Sequence, residues 1–390
     1  MFRVSQSPTD PGFVADPYPF YDRMRAGGDL VWWDDYALPC AVSHAAVHGL
    51  LRDRRFGREN PDSATVDVAE HLRPFQEIEA NSMLELEPPR HSRLRALVLH
   101  AFTSRRIKGL GPEIAALAHA CIDALDPDHT DLLPGFCQPI PVRIICRLLG
   151  VPEEMAPQLL CWSNAMVAMY QARRDLAIEQ AAGAASAAFT DYLGTLIKTR
   201  RSAPGDDLLT HLIAAEEHGE RLTTAELVST CILLLNAGHE ATVHTMGNGI
   251  KTLLETGVRF TADNAEAVTE EILRHDPPLH MFTRYAYESC SLHGHRFQPG
   301  DRVALLLGAA NRDPAVFADP NRFDPERPRP AHLSLGGGLH FCVGAPLARL
   351  ELQIALPILF ERCPGLRLTQ PPRYADLYHF HGLETLQVAF

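Results

Sequence analysis

Hydrophobic residues recur every three to four positions through the middle of the chain, between about residues 88 and 256. This spacing predicts a series of helices, each with one buried apolar face. The clearest repeats cover residues 111–125, 139–149, 154–171 and 175–200. A longer helix is predicted to begin where Thr223 or Thr224 can cap it, with Glu226 in its first turn, and to run towards Thr252 or beyond.

The two ends of the chain follow a different pattern, in which short apolar runs alternate with Pro, Gly, Asp and Asn turns. Strands are predicted at Leu30–Trp33, Ala37–Val42 and Val303–Leu307, and further helices near Pro17–Arg25, Asp263–His275 and Ala345–Phe360. Helices in the middle and small sheets at both ends predict one mainly α domain with small β-sheets, spanning residues 1–390.

Composition narrows the class of protein. The formal net charge of -12 disfavours general binding to nucleic acid. No apolar run approaches the roughly 20 residues of a membrane span, and the N-terminus lacks a signal-peptide pattern, so we expect a cytoplasmic protein without membrane association. The nine cysteines are widely spaced without a CxxC pair, which predicts that most of them are buried as small apolar residues.

One cysteine stands apart, in the segment HLSLGGGLHFCVGAPLARLE at residues 332–351. Three glycines, Gly336 to Gly338, allow a tight turn or a close approach to a flat object. Cys342 then lies just before a predicted helix N-terminus, where the helix dipole and free N–H groups favour a thiolate. The thiolate could be a nucleophile with His340 as base, a redox thiol or a metal ligand, and a glycine-lined loop suits a flat metallocofactor best.

This segment resembles the haem-binding signature of the cytochrome P450 family: aromatic, Gly, x, Gly, x, basic, x, Cys, x, Gly. The resemblance implies haem b with Cys342 as its proximal ligand, Gly336 and Gly344 in the loop, and His340 at a haem propionate. It implies no other metal. Leu335 departs from the pattern, because an aromatic residue usually opens the motif.

Other motifs of the family occur in the expected order. Glu271 and Arg274 resemble its ExxR pair, with Arg327 as the third partner, and the implied role is to support the cysteine loop. Arg284, His91 and Arg95 match cations that contact haem propionates in the family. The implied fold is the family's triangular prism, with haem between the long distal helix and the cysteine loop.

The long helix carries the family's oxygen-binding pattern with one departure. Ala237 and Gly238 match its small pair and Glu240 its acid, which implies proton delivery. The usual threonine is Ala241 here, and Thr242 lies about 100° further round the helix. A substrate hydroxyl or ordered water at Glu240 could replace the missing hydroxyl, or the coupling of electrons to product could be poor. We favour the first two.

The implied activity is that of a monooxygenase, which uses two electrons and two protons to insert oxygen from O2 into an organic substrate. Little chain follows Cys342, so we expect a separate ferredoxin or flavodoxin with its reductase rather than a fused reductase domain. Five cations are predicted to form the docking surface for that partner: Arg93, Arg105, Arg106, Lys108 and Arg349.

The substrate pocket is predicted by position in the family, and it is mainly apolar with a few histidines. Its predicted residues are Met83, Leu84, Met166, Tyr170, Leu234, His280, Met281, Phe282, His379 and Phe380. Three alternatives remain open: a peroxide-dependent peroxygenase, a non-catalytic haem sensor and a cysteine hydrolase. The first usually carries Arg-Pro where this chain has Glu240-Ala241, and the last would not need Arg284 or the ExxR pair.

Overall fold

The computed structural model describes residues 1–61, 68–217, 220–328 and 331–390, and helices dominate its middle. The α-helices in chain order are α1 Pro11–Ala15, α2 Tyr18–Ala26, α3 His44–Leu50, α4 Arg73–Glu79, α5 Arg90–Ala101, α6 Ser104–Gly109, α7 Gly111–Asp123, α8 Pro139–Leu149, α9 Ala156–Val167, α10 Leu176–Ser202, α11 Leu208–Ala214, α12 Thr224–Thr256, α13 Ala265–His275, α14 Leu307–Ala310 and α15 Ala345–Arg362. No helix in these ranges is both long and apolar enough to cross a membrane.

The strands are short and lie mostly towards the two ends of the chain. In chain order they are β1 Arg3–Val4, β2 Leu30–Trp33, β3 Leu38–Ala41, β4 Phe56–Gly57, β5 Thr130–Asp131, β6 Glu216–Glu217, β7 Glu220–Arg221, β8 Met281–Ala286, β9 Cys290–Leu292, β10 His295–Phe297, β11 Arg302–Leu306, β12 Arg367–Leu368, β13 Arg373–Tyr374, β14 Leu383–Thr385 and β15 Gln387–Ala389.

The predicted elements are present, with local differences at their ends. Thr223 caps α12, because its hydroxyl accepts from the Glu226 N–H at 3.2 Å while the Glu226 carboxylate accepts from the Thr223 N–H at 2.9 Å. The predicted strand from Ala37 begins one residue later, because Ala37 turns with a φ of 51°. Leu307 leaves the predicted strand and begins α14.

The contacts group the chain into two compact units. The first contains Met1–Asp62, Ala115–Cys137 and Ala241–Phe390, and the second contains Ser63–Ile114 and Gln138–Glu240. Residues of α12 up to Glu240 belong to the second unit and those from Ala241 onwards to the first. The single domain over residues 1–390 stays a prediction.

A six-stranded sheet organises the first unit, in the order β1-β2-β3-β11-β8-β4. Strand β11 pairs parallel with β3 and antiparallel with β8, so Ala304 lies between Cys40 and Thr283. One face of the sheet packs on an aromatic core that includes Tyr21 and Trp33, both fully buried. This sheet fixes the path of the chain that follows α13.

In the residues described for the second unit, helices are joined by one pair of strands, β6 and β7. Its longest helix, α10, packs on α9, where the rings of Trp162 and Phe189 lie 5.1 Å apart. The carboxylates of Asp175 and Asp207 cap α10 and α11 by accepting backbone N–H bonds.

All nine cysteines lie in the described ranges and none forms a disulfide. Six of them are buried, which confirms the prediction for Cys40, Cys121, Cys137, Cys146, Cys231 and Cys363. Burial raises the pKa of Cys146 and of Cys231 to about 12, so both stay thiols at neutral pH. The prediction was wrong for Cys161, which is exposed on α9, and Cys290 is only half-buried.

Candidate active site

The cysteine loop in the first unit is shaped by its glycines. Gly336 and Gly338 adopt φ values of 71° and 64°, and a β-carbon on Gly338 would clash with the backbone oxygen of Leu51. The Cys342 N–H donates to the carbonyl of Leu335 at 3.0 Å, which closes the loop immediately before α15. A larger residue at position 338 would therefore displace the loop.

Cys342 is half-buried at the N-terminal end of α15. The helix dipole and the nearby guanidinium of Arg349 both favour a negative charge on its sulfur. The pKa of Arg349 is raised, first by its bonds to Glu270 and in smaller part by the charge of Cys342. Electrostatics around the loop therefore favour the thiolate.

The donor set fits haem better than a metal held by protein ligands alone. Cys342 is not part of any group of three metal-ligating side chains within the residues the structure describes. Beside it, a β-carbon on Gly344 would meet only Sγ of Cys342, at 3.8 Å, so the backbone there is open to a flat partner. His340 is half-buried in the same loop, and Arg284 is a buried cation on β8.

Leu335 is half-buried and lines a cleft with Phe317 and Phe341. Leu335 supplies less apolar surface than the aromatic residue that the family usually carries. Two large apolar side chains of the same loop, Leu339 and Phe341, are 37% and 41% exposed.

Three charged residues meet beneath the loop in a buried network. The carboxylate of Glu271 accepts from Nε and Nη2 of Arg274, both at 2.7 Å, and from Nε of Arg327 at 3.1 Å. Arg274 also donates to the carbonyls of Asn311 and Pro320, so the network holds backbone from the following meander. The structure thus brings together the three residues of the predicted scaffold.

Sequence reasoning missed a second support, which begins at Glu270. Its carboxylate accepts from Arg349 on α15 and lies 3.3 Å from Nε2 of His332, just before the glycines. Although burial opposes ionisation, the bonds from Arg349 and His332 lower the pKa of Glu270 to about 2. No signal in the sequence pairs Glu270 with either partner.

The turn before the glycines is also fixed by neutral hydrogen bonds that the sequence did not reveal. The Ser334 hydroxyl donates to the carbonyl of Leu273, and Nδ2 of Asn311 donates to that hydroxyl at 2.7 Å. Oδ1 of Asn311 accepts from the Leu333 N–H at 2.7 Å. These bonds attach the loop to the C-terminal end of α13.

The second unit carries the remaining predicted cofactor contacts. His91 is buried on α5 and Arg95, one turn later, is half-buried. On α12, Ala237 is exposed, while Gly238 packs so closely on α8 that a β-carbon would lie 3.1 Å from Cγ1 of Ile145. Gly238 therefore allows α12 to approach α8 closely, in addition to the role predicted for it beside haem.

The polar residues of α12 differ in exposure. Glu240 is half-buried, and its Oε2 lies 3.5 Å from Nε2 of the buried His239. Ala241 is half-buried and Thr242 is 5% exposed. The hydroxyl of Thr245 donates to the carbonyl of Ala241 at 2.6 Å, so it is occupied within the helix. Whether Thr242 can replace the missing hydroxyl is not decided by its burial, and the expectation that it does not stays a prediction.

The predicted pocket residues differ in burial. The side chains of Met83, Met166, Leu234, His280 and Met281 are buried, Leu84, Phe282, His379 and Phe380 are half-buried, and Tyr170 is exposed. The ring of His280 is bonded to the hydroxyl of Tyr21, and Met281 packs in the aromatic core of the first unit. The assignment of these residues to a substrate pocket stays a prediction.

Three of the predicted docking cations have carboxylate partners within the molecule. Arg93 pairs with both Glu226 and Glu220. Arg106 pairs with Asp206 at 3.2 Å, and Arg349 pairs with Glu270. Their charges are therefore partly neutralised. Arg105 and Lys108 are exposed and remain candidates for docking.

Comparisons with known proteins agree with this geometry. The family model for cytochrome P450 matches residues 265–372. The chain is 38% identical to the cytochrome P450 monooxygenase PikC of Streptomyces venezuelae, over 92% of this chain and 87% of that protein. It is also 38% identical to nocardicin C N-oxygenase of Nocardia uniformis subsp. tsuyamanensis, over 92% and 90% of the two chains.

A solved structure extends the likeness to the whole fold. The crystal structure of P450BioI in complex with hexadec-9Z-enoic acid ligated acyl carrier protein superposes with a TM-score of 0.91 at 33% identity, over 97% of this chain and 99% of that chain. The mainly α fold with small sheets is thereby confirmed as the cytochrome P450 fold. This chain belongs to the cytochrome P450 family, as a monooxygenase that binds haem b.

Proposed function

We propose that this cytochrome P450 inserts one oxygen atom from O2 into a C–H bond or heteroatom of a mainly apolar biosynthetic intermediate. Its electrons come from a separate ferredoxin, or a flavodoxin, with its reductase. When bound, haem b supplies the redox-active iron at which O2 is activated. The observation that carries the proposal is the cysteine loop, with a half-buried Cys342 before α15 and Arg349 close to its charge.

Each predicted contact has a separate role in this proposal. Cys342 would ligate the iron through its thiolate, while Arg284, His340, His91 and Arg95 would neutralise the two propionates. Arg284 is buried on β8, in the same unit as Cys342.

Glu240 and His239 hold a proton on the distal helix. Nδ1 of His239 is bonded to the Leu235 carbonyl at 2.7 Å, and its Nε2 lies 3.5 Å from Oε2 of Glu240, close enough for the two groups to take part in one proton path. Because Ala241 carries no hydroxyl, the remaining transfer uses ordered water at Glu240 or a hydroxyl of the substrate.

The substrate class rests first on the predicted pocket residues, which are mainly apolar. His379 adds a polar group, and burial lowers its pKa to about 4. Among similar proteins, one is named nocardicin C N-oxygenase, and P450BioI was solved in complex with hexadec-9Z-enoic acid ligated acyl carrier protein. A mainly apolar substrate with a polar group matches the character of the predicted pocket.

The decisive experiment compares two electron sources on the haem-loaded protein. Substrates are first screened by the shift in iron spin state, and turnover is then measured with NADPH, a surrogate ferredoxin and its reductase, or with hydrogen peroxide. We expect product with the ferredoxin system. Product only with peroxide would indicate the peroxygenase, and no product with any spin-shifting ligand would indicate the sensor.

A cysteine substitution tests the ligand assignment. Cys342→Ser is expected to abolish the thiolate signature in the carbonyl difference spectrum, while Cys290→Ser, at a half-buried cysteine on β9, leaves it unchanged. An unchanged spectrum in Cys342→Ser would reject the assignment.

A further inference from the structure

Two histidines and an aspartate converge in the interior of the first unit, on residues that the haem chemistry does not use. Among the residues the structure describes, one group of three potential metal ligands has donor atoms within 4.8 Å of one another: Asp276, His280 and His381. These residues are only 5%, 0% and 1% exposed. Burial of three such groups together requires a physical explanation.

Asp276 is the negative charge of the group. Its Oδ1 accepts from the hydroxyl of Tyr18 and its Oδ2 from the hydroxyl of Tyr374, each at 2.6 Å. Each carboxylate oxygen keeps a further lone pair for a ligand.

Each histidine offers one nitrogen atom to the group. Nδ1 of His280 is 2.7 Å from the hydroxyl of Tyr21, but its Nε2 makes no hydrogen bond within the described part of the chain. Nε2 of His381 lies 3.5 Å from Oδ1 of Asp276. Imidazole nitrogens are common ligands of zinc.

Backbone contacts hold the three ligands together. The His381 N–H donates to the carbonyl of Pro278 at 2.7 Å. Nδ2 of Asn248, on α12, donates to the carbonyls of Asp276 at 3.2 Å and His381 at 3.1 Å. Gly308 leaves the space for His280, because a β-carbon there would lie 2.8 Å from Nδ1 of the ring. The cluster is thus fixed by chain segments distant in sequence.

We propose that Asp276, His280 and His381 form a buried site for one zinc ion, separate from haem. In a tetrahedral zinc site, donors about 2.1 Å from the metal lie roughly 3.4 Å apart. Oδ1 of Asp276 and Nε2 of His381 already lie 3.5 Å apart, and the donor atoms of all three residues lie within 4.8 Å of one another. This site departs from the expectation, made from the sequence, of no metal besides haem.

The surroundings favour zinc over calcium or magnesium. Two imidazoles and one carboxylate match zinc, while calcium and magnesium require oxygen ligands. Arg312, whose guanidinium lies 3.4 Å over the Tyr18 ring, opposes an ion that binds by charge alone. Tyr21, Tyr18 and Tyr374 bond to ligand side chains and orient them as second partners commonly do at metal sites.

The consequence is a structural link. Zinc would join the chain that follows α13 to the C-terminal segment around His381, and would stabilise the first unit without taking part in oxygen chemistry. Since the inference rests on Asp276, His280 and His381, it stands independently of the proposed substrate and electron donor.

The test measures zinc directly on the haem-loaded protein. The protein is expressed in medium with and without added zinc sulfate, dialysed against a weak chelator, and analysed for iron and zinc by plasma emission spectrometry. We expect one zinc per chain in addition to the haem iron. X-ray absorption at the zinc edge should show two imidazole nitrogens and at least one oxygen at about 2.0–2.2 Å.

Substitutions then assign the ligands. His280→Gln and His381→Gln should each reduce bound zinc at least tenfold, while His379→Gln, a half-buried histidine in the same segment, keeps one zinc per chain. The carbonyl difference spectrum, recorded in parallel, reports the haem site separately.

Two results would overturn the site. One is wild-type protein that contains less than a tenth of a zinc per chain after growth with added zinc. The other is an absorption spectrum whose ligands include sulfur or lack imidazole. Because both are measured on the unmodified chain, they decide the question even if a variant fails to fold.

Discussion

The carboxylate of Glu270 accepts two hydrogen bonds from the guanidinium of Arg349, at 2.6 and 2.9 Å. This pair joins α13 to α15, the helix that begins just after Cys342, and His332 adds a contact on the other side of the loop. The cysteine loop is therefore held at both ends by one acid, next to the Glu271 that anchors the meander. We therefore expect the position of the Cys342 sulfur, and the stability of its negative charge, to depend on the pair Glu270–Arg349.

Loss of the Glu270 carboxylate should destabilise the loop. Glu270→Gln leaves Arg349 without its bidentate partner, and we expect the free energy of unfolding to fall by about 1–3 kcal/mol. Urea unfolding of the haem-loaded protein measures this loss. The control is Glu361→Gln, at an exposed position of α15, the helix that carries Arg349, and it should change stability little. Equal effects of the two substitutions would contradict the role of Glu270.

The same carboxylate should make stability depend on acid. The folded-state pKa of Glu270 is about 2, below its ordinary value of 4.5, so its contribution is complete above pH 4.5 and is lost as the pH falls from 4.5 towards 2. Between pH 4.5 and 2 the difference in stability between wild type and Glu270→Gln should therefore shrink, as measured by thermal unfolding at each pH. A constant difference between the two proteins at all pH values would argue against the assignment.

The buried pair Glu271–Arg274 should require the guanidinium group of Arg274. Arg274→Lys cannot form the bidentate contact or reach the carbonyls of Asn311 and Pro320, and we expect a loss of about 3–5 kcal/mol with poor haem incorporation. Arg322→Lys, at an exposed side chain of the same meander, is the control. Full haem content in Arg274→Lys would show that the network does not support the loop.

Glu240 should control proton delivery. Glu240→Gln removes the carboxyl group proposed to deliver protons, whose Oε2 lies 3.5 Å from His239, and we expect the rate of product formation to fall by about 10²- to 10⁴-fold with haem content unchanged. Steady-state turnover and its solvent isotope effect measure this change. Glu255→Gln, on the last turn of the same helix α12, is the control. A rate close to wild type would exclude Glu240 from the relay.

Ala241 tests whether another group replaces the missing hydroxyl. If water at Glu240 or a substrate hydroxyl completes the relay, the amount of product formed per NADPH consumed should be nearly the same in Ala241→Thr as in wild type. The measurement is product against NADPH and released peroxide. A large rise in coupled product, with less peroxide, would show instead that nothing replaces the hydroxyl in the native enzyme.

The sequence by itself determined what depends on near neighbours. Helix periodicity located α8 and α12, Thr223 and Glu226 marked the start of α12, and the run of glycines before Cys342 identified the loop. Such signals are read from residues a few positions apart, because backbone geometry and capping act over that distance. The resemblance to cytochrome P450 supplied the link between Glu271 and Arg327.

Only the tertiary structure decided which distant side chains meet. Glu270 and Arg349, like Asp276 and His381, are brought together by the packing of helices and strands, and each residue alone resembles an ordinary surface charge or core histidine. The ring of His280 is held in the interior by its contact with the hydroxyl of Tyr21 and by the space that Gly308 leaves, and neither contact is visible in the sequence. Long-range contacts follow from the chain path as a whole, which local patterns do not specify.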